Sequence, residues 1–265
     1  MKANLLRVTL RDPLPAGADA NTFPFSLPVV RTLETLDLSA PVTLFVGENG
    51  SGKSTLLEAI ASAAELTALG ADRVVDDDSL APQRALGSAL RLAWSQRSRK
   101  GFFLRAEDFF GYLKLQARTD ARIAREWREQ PGDNTPHTTE DGRHVDEREA
   151  ARYLARYDAR SHGESFLDLF STRLHPGGLY LLDEPEAPLS PARQLALLSL
   201  VMGAAKAGAQ FVIATHSPIL LACPGATIYS FDAAPVARVA YADLEHVSLM
   251  RGFLNDPERY LRHLG

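Results

Sequence analysis

Gly47-Glu48-Asn49-Gly50-Ser51-Gly52-Lys53-Ser54 follows directly on the apolar run Val42 to Val46 and fits the pattern GxxxxGK[ST]. No other feature restricts the fold as much, because the pattern works only where a buried strand turns sharply into a helix. The glycines let successive backbone N–H groups converge on phosphate oxygens. Lys53 brings a cation to the outer phosphates, and the Ser54 hydroxyl can ligate Mg²⁺. Leu56, Leu57 and Ile60 recur at helical spacing, so a helix from about Gly52 to Leu66 is predicted, with its positive end on the same anion. The candidate nucleotide-binding segment is therefore Gly47, Glu48, Asn49, Gly50, Ser51, Gly52, Lys53, Ser54 and Thr55.

Two later apolar runs end in residues that suit the same chemistry. Leu179 to Leu182 leads into Asp183 and Glu184. Behind a phosphate loop, the first acid can hold Mg²⁺ and the second can polarise an attacking water; standing alone, such a pair is more commonly a turn or a helix start. Phe211 to Ala214 leads through Thr215 into His216. Open α/β sheets bind ligands at the C-terminal edge of their strands, which is where these residues fall. Lys53, Glu184 and His216 are the catalytic candidates, and Ser54 and Asp183 the metal-ligating ones.

The remainder of the chain fits an α/β protein. Its 265 residues allow one large domain, and 29 basic against 33 acidic residues give a formal charge of −4, which excludes an overall polyanion-binding footprint. Leu6, Val8 and Leu10 alternate and prolines punctuate the connections up to Val46, predicting an antiparallel flap over 1–46 that leads into the phosphate loop. A helix is expected over Pro82 to Trp94, a buried strand over Gly101 to Arg105, helices over Asp108 to Gln130 and Asp146 to Ala159, and a polar loop between those two helices. The span 71–160 is thus expected to form a helical lid insertion. Asp76-Asp77-Asp78 is read as a solvated turn, since adjacent loop residues cannot all face one ion. From Leu174 onward strand and helix alternate, as in a parallel sheet covered by helices. Cys223 alone permits no intrachain disulfide and suits a reducing compartment as a buried apolar residue. The longest apolar stretch, near Leu195 to Ala205, is about half of what a membrane-spanning helix needs. A cytoplasmic protein without membrane insertion is expected.

Three phosphate-facing segments in this order resemble the ABC-type ATPases, in particular the soluble branch related to RecF-like and chromosome-maintenance proteins. The fuller run Ser161-His162-Gly163-Glu164-Ser165, then Leu-Leu-Asp-Glu-Pro-Glu-Ala and Ala-Thr-His-Ser-Pro, is similar to a compact bacterial group of AAA-family ATPases. The resemblance spans nearly the whole chain and implies one ABC-type ATPase domain over 1–265: a P-loop NTPase core with a parallel sheet flanked by helices, the β flap, the lid, and a 161–265 segment carrying the remaining motifs. It further implies ATP and Mg²⁺ as ligands and head-to-tail homodimerisation on ATP binding. Ser161, Gly163 and Glu164 would then reach the γ-phosphate held by the other subunit. Leu189 and Ser190 would stand in the loop that crosses the dimer interface, Ser190 alternatively acting only as the N-cap before Pro191. His216 would sense the γ-phosphate. Glu107 takes the position of the glutamine that links Mg²⁺ to the lid, an exposed acid at a helix start being the alternative.

Between Arg84 and Arg128 eleven basic residues face four acidic ones, a local excess that could hold a phosphate backbone, dock an acidic protein or simply be solvated. Phe23, Phe25 and Arg31 are candidate adenine contacts, with core packing the alternative for both aromatics. The leading reading is a soluble ATPase whose cycle switches a homodimer, in DNA maintenance or defence and with an unidentified protein partner. The ATPase subunit of a transporter and a nonhydrolytic ATP-sensing scaffold are the alternatives.

Overall fold

A computed structural model describes residues 3–69, 81–98, 100–106, 137–138, 144–145 and 162–262. Its centre is a seven-stranded sheet in the order β12-β11-β3-β10-β9-β6-β4, comprising β3 (Val42–Val46), β4 (Thr67–Ala68), β6 (Gly101–Arg105), β9 (Leu179–Asp183), β10 (Gln210–Ala214), β11 (Thr227–Ser230) and β12 (Ala237–Val239). All neighbours pair in parallel except β11 with β12. Every residue of β3, β9 and β10 is buried. That follows from their unbroken apolar runs, which leave no wet face for a strand covered on both sides.

One cover is α2 (Lys53–Ala63), inserted between the central sheet and a second, antiparallel sheet of order β2-β1-β5: β1 (Leu5–Leu10), β2 (Thr35–Asp37) and β5 (Leu90–Trp94). Leu56, Leu57 and Ile60 pack in one cluster with Leu5, Val8 and Leu36 of the flap and with Phe45, Leu181 and Val212 of the central sheet. The flap also carries α1 (Pro28–Arg31), and α3 (Ala81–Ala89) leads into β5. The other cover is α4 (His162–Arg173) and α5 (Pro191–Lys206). Phe166 and Phe170 of α4 and Leu197 and Val201 of α5 bury against Tyr180, Phe211 and Ile213. The C-terminal part adds α6 (Pro218–Leu221), α7 (Glu245–Asn255) and α8 (Pro257–Leu261). Cys223 is buried just after α6. No helix among the described residues is long and apolar enough to cross a membrane.

Two expectations are corrected. The helix expected over Pro82 to Trp94 stops at Ala89, and Leu90–Trp94 is a strand paired antiparallel with β1. Leu90, Leu92 and Trp94 alternate with Arg91 and Ala93, a period of two that suits the free edge of β1 better than a helix. The flap is thereby closed by a strand from beyond the phosphate loop, while β6 is the buried strand expected over Gly101 to Arg105. Phe23 is not a core residue, being 52% exposed, whereas Phe25 is buried. The helices expected over 108–130 and 146–159 and the acidic turn at 76–78 lie outside the described residues. Within the polar loop between those helices, β7 (His137–Thr138) and β8 (His144–Val145) form a two-stranded antiparallel pair.

The two sheets are joined by a polar clasp at the end remote from the phosphate loop. The buried Gln210 side chain accepts from the Leu5 N–H at 2.8 Å and donates to the carbonyls of Leu5 at 2.8 Å and Leu38 at 2.6 Å. Truncation leaves three backbone groups without partners, each costing about 1 kcal/mol or more. Gln210→Ala is expected to lower the unfolding free energy by roughly 3 kcal/mol, read as a fall in urea midpoint with little change in the slope.

Candidate functional site

Parallel register brings the three sequence segments to one level. Ala214 lies opposite both Phe45 and Asp183, so β3, β9 and β10 end together and their following loops meet. The phosphate loop starts after Val46. Gly47 adopts φ +151°, where a Cβ would stand 3.0 Å from the Phe231 Cβ and 3.1 Å from Asp232 Oδ1. Gly52, at φ +99°, occupies the left-handed N-cap of α2, and a Cβ there would press on Val29 at 2.8 Å. Only glycine suits both places. Lys53 is 4% exposed, and its Nζ donates to the carbonyls of Gly47 at 2.6 Å and Glu48 at 2.9 Å. Burial lowers its pKa, while the charges of Glu184, Asp183, Asp232 and Glu48 oppose that shift.

Ser54 Oγ donates to Asp183 Oδ1 at 3.0 Å. Burial raises the Asp183 pKa to about 6, the Ser54 hydrogen bond and the charges of Arg105 and Lys53 acting against the rise and Glu184 adding to it. A hydroxyl and a buried carboxylate whose ionisation is penalised make a donor set that fits Mg²⁺, which keeps several waters and takes few protein oxygens. Glu184 follows at φ 48°, a left-handed conformation uncommon outside glycine, with its N–H donating to the Ala214 carbonyl at 2.9 Å. The strained turn carries the carboxylate off the strand axis toward His216: Glu184 Oε1 lies 3.7 Å from His216 Nε2.

The loop holding His216 is fixed by residues that the sequence patterns did not single out. Glu186 Oε1 accepts from the Thr215 hydroxyl at 2.7 Å and from the N–H groups of His216 at 2.7 Å and Ser217 at 3.1 Å. Gln194 Oε1 accepts from the Ser217 hydroxyl at 2.7 Å, and its amide donates to the Leu189 carbonyl at 3.1 Å. The segment after Asp183 is thus tied to the segment before α6. Leu189 is buried. Ser190 holds the N-cap position of α5 with Pro191 at N1, as one of its two expected roles has it, and its side chain makes no capping hydrogen bond. Asp232 supports the other side, accepting the Glu48 N–H at 2.8 Å through Oδ1 and the Ser230 hydroxyl at 2.9 Å through Oδ2. Its signal was available: it follows a predicted strand that ends at the same sheet edge.

Other candidates are not gathered by the described residues. Gly163 and Glu164 lie in the first turn of α4, while Ser161 and Glu107 fall outside the described residues. Beside the Glu107 position, Arg105 ends β6 directly opposite Asp183 and pairs with the buried Glu58 of α2 at 3.3 Å. Of the basic segment, Arg84, Arg91 and Arg97 join Arg11 and Trp94 along an open groove on the flap, Arg97 also pairing with Glu65 at 3.0 Å.

Family models, a curated protein and solved structures are similar to this chain. A family model described as an AAA domain matches residues 25–68, which contain the phosphate loop. A second AAA domain model, whose description also names a candidate AbiEii toxin of a Type IV TA system, matches residues 165–222, which contain Asp183, Glu184 and His216. The Hemin import ATP-binding protein HmuV of Pseudomonas aeruginosa is 31% identical over 189 residues, covering 64% of each chain. The chain therefore spans under two thirds of the length of that relative. Among solved structures, the SMC head domain from Thermotoga maritima has a TM-score of 0.44 at 15% identity, covering 89% of this chain and 99% of that one. An ATP-binding cassette of an ABC transporter in its ADP conformation has a TM-score of 0.38 at 15% identity, covering 100% and 99%. The two AAA domain matches fall on the two nucleotide-facing parts of the chain, and the relative matched over 189 residues is an ATP-binding protein.

Because the folded Asp183 pKa stands near 6 against an ordinary 3.8, the folded chain retains a proton between those values that the unfolded chain has released. Stability from this group is present below about pH 4 and is lost as pH rises through 6. Without Mg²⁺ and nucleotide, Asp183→Asn is expected to gain on the wild type as pH rises from 4 to 7, by on the order of 2–3 kcal/mol. Chemical unfolding at stepped pH measures the difference.

Proposed function

We propose that this chain binds and hydrolyses ATP and uses the nucleotide to close a head-to-tail homodimer. What carries the reading is the meeting of Lys53, the Ser54–Asp183 pair at 3.0 Å and the Glu184–His216 pair at 3.7 Å on one sheet edge. The loop N–H groups and the start of α2 receive the phosphates, with Lys53 turning from the Gly47 and Glu48 carbonyls to the β- and γ-oxygens. Mg²⁺ held by Ser54 and Asp183 would neutralise charge on those oxygens. Glu184 orients a water and takes its proton as the water oxygen bonds to the γ-phosphorus. The bond to the bridging oxygen breaks, and the electron pair stays with ADP. His216, fixed through Glu186, reports whether the γ-phosphate is present.

One chain encloses only part of a triphosphate. Ser161, Gly163 and Glu164 of a second copy would complete the enclosure from the start of α4, with Leu189 and Ser190 at the crossing between copies. Glu184→Gln is therefore expected to bind ATP without turnover and to sediment as a dimer with ATP and Mg²⁺ and as a monomer without. Equal sedimentation in both conditions removes the dimer switch. Phosphate release that persists in Glu184→Gln removes Glu184 from its role, and absence of release from the wild type supports the nonhydrolytic scaffold instead.

The name of the curated relative favours a second reading, the ATP-binding subunit of an importer. Co-purification with an integral membrane protein separates it from the soluble switch, for which roles in DNA maintenance or defence and a protein partner are the candidates. The basic region 84–128 is the candidate for nucleic acid, and its described residues Arg84, Arg91 and Arg97 line the flap groove with Arg11. Titration of duplex and single-stranded DNA should then show affinity that falls steeply between about 50 and 200 mM salt. A flat salt response sinks that assignment and leaves the ATP cycle untouched.

A further inference from the structure

The C-terminal segment brings one more imidazole to the nucleotide edge. Leu244 and Val247, on either side of the start of α7, are buried in one apolar cluster with Leu220 and Leu221 of α6. The Tyr241 hydroxyl donates to the Pro218 carbonyl at 3.1 Å. Since α6 begins two residues after His216, these anchors fix the start of α7, where His246 stands, to the segment that follows the His216 loop. His246 Nε2 is enclosed and has no hydrogen-bond partner among the described residues, and the same is true of His216 Nε2. The His216 side chain is otherwise 40% exposed, so this nitrogen is turned inward while the rest of the ring meets solvent.

The charges that act on His246 include those beside the phosphate loop. Burial first, and then the charge of His216, lower its pKa, with Asp232 and Glu48 opposing. The ring is thus within electrostatic reach of the loop residue Glu48, of the Asp232 buttress and of the switch histidine, and near neutral pH it is an uncharged imidazole with one N–H to give. Two enclosed ring nitrogens lack a hydrogen bond, His216 Nε2 having only the Glu184 carboxylate at 3.7 Å, and such nitrogens are costly to leave without one. A terminal phosphate oxygen would satisfy them, and ADP carries no such oxygen at that place.

We propose that His246 is a second phosphate-reading histidine, which hydrogen-bonds the γ-phosphate beside His216 and so ties the first turn of α7 to the nucleotide state. The inference rests on the ATP site described under Proposed function and adds to it a ligand from the C-terminal helix. α7 then differs between ATP and ADP forms, because one of its residues has a partner only in the first.

The test is equilibrium binding of ATP and ADP, each with Mg²⁺, to the full chain in a Glu184→Gln background that keeps ATP intact. His246→Ala is expected to weaken ATP about tenfold, the loss of one hydrogen bond to a charged group, and to leave ADP affinity unchanged. His246→Gln, whose amide can reach the Nε2 position, is expected to recover most of the ATP affinity. Unchanged ADP binding also certifies that the variants are folded. An ATP-to-ADP affinity ratio that does not move, or equal weakening of both nucleotides, overturns the proposal and leaves His246 a packing residue. If the Glu184→Gln parent binds neither nucleotide, or Lys53→Ala in that background leaves both affinities intact, the ATP site itself fails and this inference falls with it.

Discussion

The site depends on the parallel register of β3, β10 and β9. Phe45, Ala214 and Asp183 stand side by side, so the glycine-rich loop, the acidic turn and the histidine loop leave the sheet at one level. A shift of one residue in either pairing would carry Asp183 to the opposite face of the sheet and separate it from Ser54. Because β3, β9 and β10 are buried on both faces, the apolar pattern of any one strand does not set that register. It is enforced at the strand ends. Glu184 N–H bonds the Ala214 carbonyl and Thr215 N–H bonds the Phe45 carbonyl at one end, and the Gln210 clasp fixes the other. The covering helix α2 locks the arrangement by packing Leu56, Leu57 and Ile60 between two sheets.

The parts legible in the sequence were those in which residue type and local geometry are bound together. A strand that must turn into a phosphate-cradling helix leaves the signature of Gly47, Gly52 and Lys53, and strand ends announce themselves where an apolar run breaks at Asp183 or His216. Less legible were features that depend on a partner distant in the chain. Leu90 to Trp94 follows directly on a true helix, and its identity as a strand is decided by β1, more than eighty residues earlier. Glu186 resembles an ordinary turn acid until the three donors it gathers from residues 215 to 217 are seen. Gln210 looks like a strand start, yet its side chain joins the two sheets. Ser190 takes its expected N-cap position through the backbone: the helix start is satisfied by Pro191 at N1 and the Ser190 carbonyl, which accepts from the N–H groups of Arg193 and Gln194.

Electrostatics explains why this edge calls for more than one chain supplies. Lys53 places an ammonium in the cradle, and Asp183, Glu184, Asp232 and Glu48 all act upon it. Arg105, whose charge reaches Asp183, is paired with Glu58. A triphosphate added to such a set meets repulsion from every carboxylate within a few ångströms, which in a partly buried site is weakly screened. Three kinds of group can offset it. A divalent cation neutralises Asp183 and two phosphate oxygens together, backbone N–H groups at the loop and at the start of α2 add directed partial charges, and donors from a second copy cover the outward γ-oxygens. In the proposed cycle, hydrolysis would remove the phosphate that a second copy helps to enclose. The donors of the second copy would then lose their acceptor, and the proposed pair would reopen.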